Sequence, residues 1–220
     1  MSDLVYEATD LVQVYNGREV LRLPRLDVSP GSITAVTGPN GSGKSTLLRI
    51  LACLENPASG RLRFLNRPCP WTQGNPRREA SLLLQEPYLL RRSVLGNVTY
   101  GLKVRGIPPT EATARAREAL TTVGLAPEIF ARRDWRELSG GEAHRVALAA
   151  RLAFKPRVLL LDEPTSSLDA ESAVLVSQAA LAAREGWGAT IVVASHDRPW
   201  LSAVADREVR LGEPEKGLSA

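Results

Sequence analysis

Ile33-Thr34-Ala35-Val36-Thr37-Gly38-Pro39-Asn40-Gly41-Ser42-Gly43-Lys44-Ser45 decides how this chain is read. A β-branched run stops at a Gly-rich loop, and Ser45 to Ala52 then reads as a helix. Gly38 to Ser45 satisfies the pattern G-x4-G-K-[ST] in full, in the strand–loop–helix setting that its chemistry requires. Gly38, Gly41 and Gly43 let backbone N–H groups turn inward and approach phosphate oxygens closely. The N-terminus of the following helix adds partial positive charge. Lys44 sets an ammonium between β- and γ-phosphates, and Ser45 offers a hydroxyl to Mg²⁺. Asn40, Ser42 and Thr46 complete the expected nucleotide-binding set. A chance Gly/Ser loop would not need the flanking strand and helix.

A second motif lies further along. Val158-Leu159-Leu160-Leu161 reads as a strand buried on both faces, and it ends in Asp162-Glu163. Ligand-handling side chains in parallel sheets gather at the carboxyl ends of strands. Beside a phosphate loop, Asp162 is expected to hold Mg²⁺ through water, and Glu163 to polarise an attacking water. Taken alone, the pair could be solvated residues leading into Pro164.

Working outward, Leu11, Gln13 and Tyr15 alternate with Val12 and Val14, and Asn16-Gly17 supplies a hairpin turn with Arg18 to Leu23 returning antiparallel. Arg61 to Leu65 and Ser81 to Leu84 read as further strands, separated by a loop or insertion over Asn66 to Glu79. From Pro87 to Phe154 the pattern is helical. Glu111 to Val123 is closed by Gly124 as a C-terminal cap, and Gly141 to Phe154 forms a second long helix. The helix Ala170–Arg184 between the strands Val158–Leu161 and Ala189–Val193 implies a parallel sheet. The expected fold is α/β: a nucleotide-binding core over 1–86 and 155–220, with an N-terminal antiparallel β part and a helical subdomain inserted over 87–154.

Composition narrows the class. With 220 residues and a hydrophobic share of 44%, the chain can bury a core without staples. The net charge of +4 comes without a basic stripe interleaved with aromatics, so nucleic acid is not the expected partner. Two cysteines and two histidines make a structural zinc site an unattractive reading, and spacing alone leaves a disulfide between Cys53 and Cys69 open. The first residues lack the basic and apolar blocks of a signal peptide. No apolar run approaches the ~20 residues that span a bilayer, so a membrane link is expected through a partner. The tail after Ala205 is expected to add no regulatory domain.

At Leu138-Ser139-Gly140-Gly141-Glu142 the chain resembles the ABC ATPase family, from Tyr6 to about Leu211 and with motifs in that family's order. This stretch is similar to the family signature. It is also a capping box, Ser139-x-x-Glu142, although a capping box leaves Gly140 and Gly141 unexplained. The resemblance implies ATP and Mg²⁺ as cofactors and a head-to-tail dimer. In that dimer Ser139, Gly140, Gly141 and Glu142 reach the γ-phosphate held by the second copy. It further implies that Tyr15 stacks on adenine, that Gln85 touches Mg²⁺, that Ser167-Leu168-Asp169 contacts the dimer partner, and that His196 contacts the γ-phosphate. Glu142, His144 and the order Ala150-Arg151 depart from the family's commonest pattern, which bears on how that helix packs.

Pro87 to Gly106 looks most like oxyanion importer subunits of the tungstate, molybdate and phosphate type, in the region where the family docks a helix of its membrane subunit. Tyr88, Leu89 and Leu90 could equally be helical-subdomain core. The implied partners are an integral membrane permease and an extracytoplasmic solute-binding protein, with the chain peripheral on the cytoplasmic face of the membrane. A non-transport ABC ATPase, for example one acting in cell division, is the alternative, and a module that binds nucleotide without hydrolysis is a third reading.

Overall fold

The computed structural model describes residues 4–69, 78–166 and 168–212. Two compact units divide the chain. One comprises Met1–Leu82, Arg157–Glu163 and Gly188–Ala220; the other comprises Leu83–Pro156 and Pro164–Trp187.

The first unit holds an antiparallel sheet and most of a parallel one. Strands β1 (Tyr6–Tyr15) and β2 (Arg18–Val28) form the expected hairpin. Asn16 and Gly17 both take positive φ, at 51° and 77°, the requirement of a tight primed turn that matches strand twist. A register shift between Gln13 and Val14 bends the hairpin tip, and the buried Gln13 side chain secures it by bonding Ala58 N and Asn56 O. With β4 (Ser59–Phe64) and β5 (Arg67–Cys69) the sheet order is β2-β1-β4-β5. Strand β5 lies inside the segment expected to be loop. Its turn uses Leu65 and Asn66, both at positive φ, and the absence of glycine hides it from sequence reading. Residues 70–77 of that expected loop lie outside the described residues.

The five-stranded sheet runs β6-β7-β8-β3-β9, from β6 (Ala80–Leu83), β7 (Val158–Asp162), β8 (Thr190–Ala194), β3 (Ile33–Thr37) and β9 (Arg207–Arg210). The pairs β7–β8, β8–β3 and β3–β9 are parallel. Every residue of β3, β7 and β8 is buried, as their unbroken apolar runs demand. Helix α1 (Lys44–Leu51) packs on β7, β8 and β2. Tyr6 stacks on Phe64 with centroids 4.6 Å apart, and its hydroxyl donates to Leu51 O, tying α1 to the antiparallel sheet.

The second unit is helical: α2 (Val94–Val104), α3 (Pro109–Thr122), α4 (Pro127–Phe130), a 3₁₀ turn at Trp135–Glu137, α5 (Gly140–Leu152) and α6 (Ala170–Trp187). Helix α3 starts on Pro109, whose missing N–H costs nothing at a first turn. It ends in a Schellman motif, with Gly124 at φ 72° bonding Thr121 O and Leu125 bonding Leu120 O. The buried Asn97 accepts from Leu90 N and donates to the carbonyls of Leu90, Arg92 and Ser93, which fixes the segment before α2. Helix α6 clusters with this unit, whereas the sequence reading grouped all of 155–220 with the core. Helix α7 (Arg198–Val204) and β9, both in the first unit, escape the sequence reading because each is short. Among the described residues no helix is long and apolar enough to cross a membrane.

Candidate functional site

The phosphate loop joins β3 to α1. Gly38, Gly41 and Gly43 take φ of 148°, 80° and 90°, a region that L side chains rarely adopt. Space adds a second constraint at two of them. A Cβ on Gly38 would lie 2.7 Å from Leu211 O and from Ser42 Oγ, and one on Gly43 would lie 2.5 Å from Val20 O. Asn40 and Gly41 are exposed at the loop tip, whereas Ser42, Lys44 and Thr46 are buried. Ser42 N bonds Pro39 O across the turn.

Lys44 Nζ donates to Gly38 O at 3.0 Å and to Pro39 O at 3.3 Å, so its ammonium lies inside the ring of the loop. It also lies 3.0 Å from His196 Nε2. His196 follows β8, and its backbone N–H donates to Glu163 Oε2 at 3.2 Å. Glu163 itself follows β7 at φ 46°, a left-handed conformation unusual for a residue with a Cβ, and its N–H is anchored on Ala194 O at 2.8 Å. The parallel pairing of β7 with β8 thus brings the carboxylate pair beside the histidine.

Asp162 is buried at the end of β7. Burial pushes its carboxyl above the usual range, against the Ser45 hydroxyl that bonds it and the nearby Arg49 and Lys44 charges. Its Oδ1 has no hydrogen-bond partner among the described residues. A buried carboxylate oxygen left unmatched beside a hydroxyl is what a hard divalent cation fills, so Ser45 and Asp162 fit Mg²⁺. The glycine-lined loop with its interior ammonium fits a phosphate chain in the same way.

A cleft of about 370 Å³ opens beside the loop and is lined by Gly38, Pro39, Ser195, His196, Arg198 and Arg210, among others. The two arginines were not singled out from sequence. They come from the short elements α7 and β9, and only their placement next to β3 reveals them. Arg198 is held by Glu208 at 2.8 Å, and Glu208 in turn accepts from Thr37 Oγ1. Tyr15 stands 38% exposed at the hairpin tip, its hydroxyl bonded to Glu55, a residue that carried no sequence signal.

The other expected site residues lie in the second unit. Gln85 is exposed just beyond β6. Ser139 caps α5: its Oγ accepts from Glu142 N at 3.2 Å, while Glu142 Oε2 accepts from Ser139 N at 2.8 Å. A Cβ on Gly141 would meet Ser172 Oγ at 2.7 Å, at the start of α6, whereas one on Gly140 would meet open space. Asp169 accepts from Ser172 N and Oγ, which holds its carboxyl below the usual range. Ser167 lies outside the described residues. His144 is buried, with its Nε2 lacking a partner among the described residues and its other nitrogen bonded to the Pro164 backbone; burial lowers its basicity. Tyr88 is 92% exposed, which removes it from any helical core.

Fold and site together define a P-loop nucleotide-binding cassette. The chain matches the family model described as ABC transporter over residues 21–166, and it belongs to that family. It is 39% identical to the L-cystine transport system ATP-binding protein TcyN of Escherichia coli, over 92% of this chain and 84% of the relative. It is 34% identical to the tungstate uptake system ATP-binding protein TupC of Peptoclostridium acidaminophilum, over 94% of this chain and 96% of the relative. To the Fe(3+) ions import ATP-binding protein FbpC of Agrobacterium fabrum the identity is 40% over 86% of this chain, which spans only 53% of that longer protein. A solved dimer of the ATP-binding cassette MJ0796, in a post-hydrolysis state bound to ADP and Pi, superposes with a TM-score of 0.86 at 28% identity, covering 95% of each chain.

Proposed function

We propose that this chain is the Mg²⁺-dependent ATP-hydrolysing subunit of an ABC importer, working as a head-to-tail dimer on the cytoplasmic face of a membrane. The observation that carries the reading is the convergence of Lys44, His196 and Glu163 at one end of the parallel sheet. Lys44 grips the β- and γ-phosphates from inside the loop. Ser45 and Asp162 hold Mg²⁺, which when bound neutralises charge on the phosphate oxygens. Glu163, held rigid by its N–H bond to Ala194, orients a water and takes its proton. His196, exposed beside the loop, donates to the γ-phosphate. Tyr15 supplies an aromatic face for adenine. Gln85 ligates Mg²⁺, and Ser139 with Gly140 closes over the nucleotide held by the second copy.

For the cargo we propose tungstate or another small oxyanion, delivered by a solute-binding protein to a permease that docks near the exposed Tyr88. The relatives' names support this only in part, since they span iron, cystine, sulfonate, methionine and tungstate. A regulator of another membrane complex is the second reading. The test pairs Glu163→Gln with the unaltered chain. Phosphate release is expected to fall at least ~100-fold, while ATP binding is retained and a dimer accumulates. Unimpaired turnover in the variant would remove Glu163 from this role. Co-purification with a permease, followed by uptake of labelled tungstate, separates importer from regulator.

A further inference from the structure

We infer that Cys53 and Cys69 form a reversible dithiol–disulfide pair that staples the end of α1 to the antiparallel sheet. Both side chains are thiols, and their sulfurs lie 2.7 Å apart although the residues are 16 positions apart in sequence. Both are half-buried, so a small oxidant reaches them.

The two segments are already fixed in place. Cys53 follows the C-terminal cap of α1, and its N–H bonds Ile50 O. Cys69 ends β5 and pairs with Leu62 of β4. Both pack against the core, and Tyr6 ties Leu51 to the same sheet. The sulfurs have only to close from 2.7 Å to the ~2.05 Å of a disulfide bond. A second observation singles out Cys53. It adopts φ 53°, a left-handed conformation that would suit glycine and that a residue with a Cβ tolerates only under constraint. A thiol stands where a glycine would be more comfortable.

The reaction is thiol–disulfide exchange with a low-molecular-weight disulfide such as glutathione disulfide. One cysteine thiolate attacks a sulfur of the small disulfide, forming a mixed disulfide and expelling one small thiolate. The neighbouring cysteine then attacks the protein sulfur and expels the second. Two protein thiols are oxidised to one disulfide, one small disulfide is reduced to two thiols, and the two protons pass to the leaving groups. Neither cysteine belongs to the nucleotide site, so the pair acts on the rigidity of α1 rather than on the chemistry.

The full chain is incubated with glutathione disulfide, alkylated under denaturing conditions and weighed intact. The expected product is lighter than the reduced protein by about 2 Da, takes up no alkyl group and is restored by dithiothreitol. Its thermal midpoint is expected to rise by on the order of 5 °C, reversibly. Cys69→Ser is expected to show neither the mass change nor the rise, and to retain one glutathione adduct instead. Cys53→Ser provides the same control should Cys69→Ser fail to fold. Full alkylation of both cysteines after oxidation, stable double adducts, or a disulfide between two chains would each overturn the inference.

Discussion

Nε2 of His196 lies 3.0 Å from Lys44 Nζ and 3.3 Å from Glu163 Oε1. One ring nitrogen cannot serve both. An ammonium only donates, so its bond requires a bare lone pair on Nε2; a carboxylate only accepts, so its bond requires a proton there. The loop lysine and the carboxylate therefore compete for the protonation of a single atom.

This competition predicts a change of tautomer on nucleotide binding. When the Lys44 ammonium turns to phosphate, Nε2 is released and can carry a proton. Nitrogen-15 spectra should show the Nε2 signal of His196 moving from acceptor-like to donor-like on addition of Mg-nucleotide. The chain has only two histidines, so the assignment is simple. An unchanged signal at saturation would refute the competition.

Gly43→Ala should destabilise the fold and not merely the site. The new Cβ meets Val20 O at 2.5 Å and must also accept φ 90°. A cost of about 2 kcal/mol or more is expected, read from the urea midpoint. Gly140→Ala meets open space at normal helical φ and serves as the matched control, with little or no loss of stability.

Asp162→Asn should raise the thermal stability of the ligand-free chain and abolish its stabilisation by Mg²⁺ with ADP. The Asp162 carboxyl titrates above its ordinary value, first because it is buried. The unfolded chain then releases the proton earlier, so the contribution of this group to stability is greatest below about pH 3.9 and falls as pH rises through the folded value. Once ionised, the carboxylate keeps an Oδ1 with no hydrogen-bond partner among the described residues, and Mg²⁺ would relieve it. Melting curves with and without the ion, in both proteins, check the prediction.

Acid should destabilise the chain through His144. Burial, aided by Arg151, holds this imidazole below its ordinary value of about 6.5. Unfolding lets it protonate, so its contribution is fully present above pH 6.5 and is lost as pH falls toward the folded value. His144→Gln should flatten the stability profile in that window, measured by denaturant titration at stepped pH.

The sequence made the phosphate loop, the Asn16-Gly17 hairpin and the buried β7 strand legible because each is written locally, in residue types whose backbone or burial needs are specific. What it concealed is non-local. The Leu65-Asn66 turn lacks glycine, so the sequence pattern at β5 reads as loop. Beside its expected approach to phosphate, Gly141 faces Ser172, 31 positions away, whose Oγ a Cβ there would meet at 2.7 Å, a constraint no local pattern shows. Of the cleft arginines, Arg210 is placed by β9 pairing with β3 and Arg198 by its bond to Glu208 of that strand, and four residues, three of them charged, do not announce the pairing.

Gly43 rests on the carbonyl of Val20, and Val20 belongs to the strand whose partner ends in Tyr15. One strand therefore carries both the hairpin tip and the backbone against which the phosphate cradle is packed, so a shift of that strand would be felt at both.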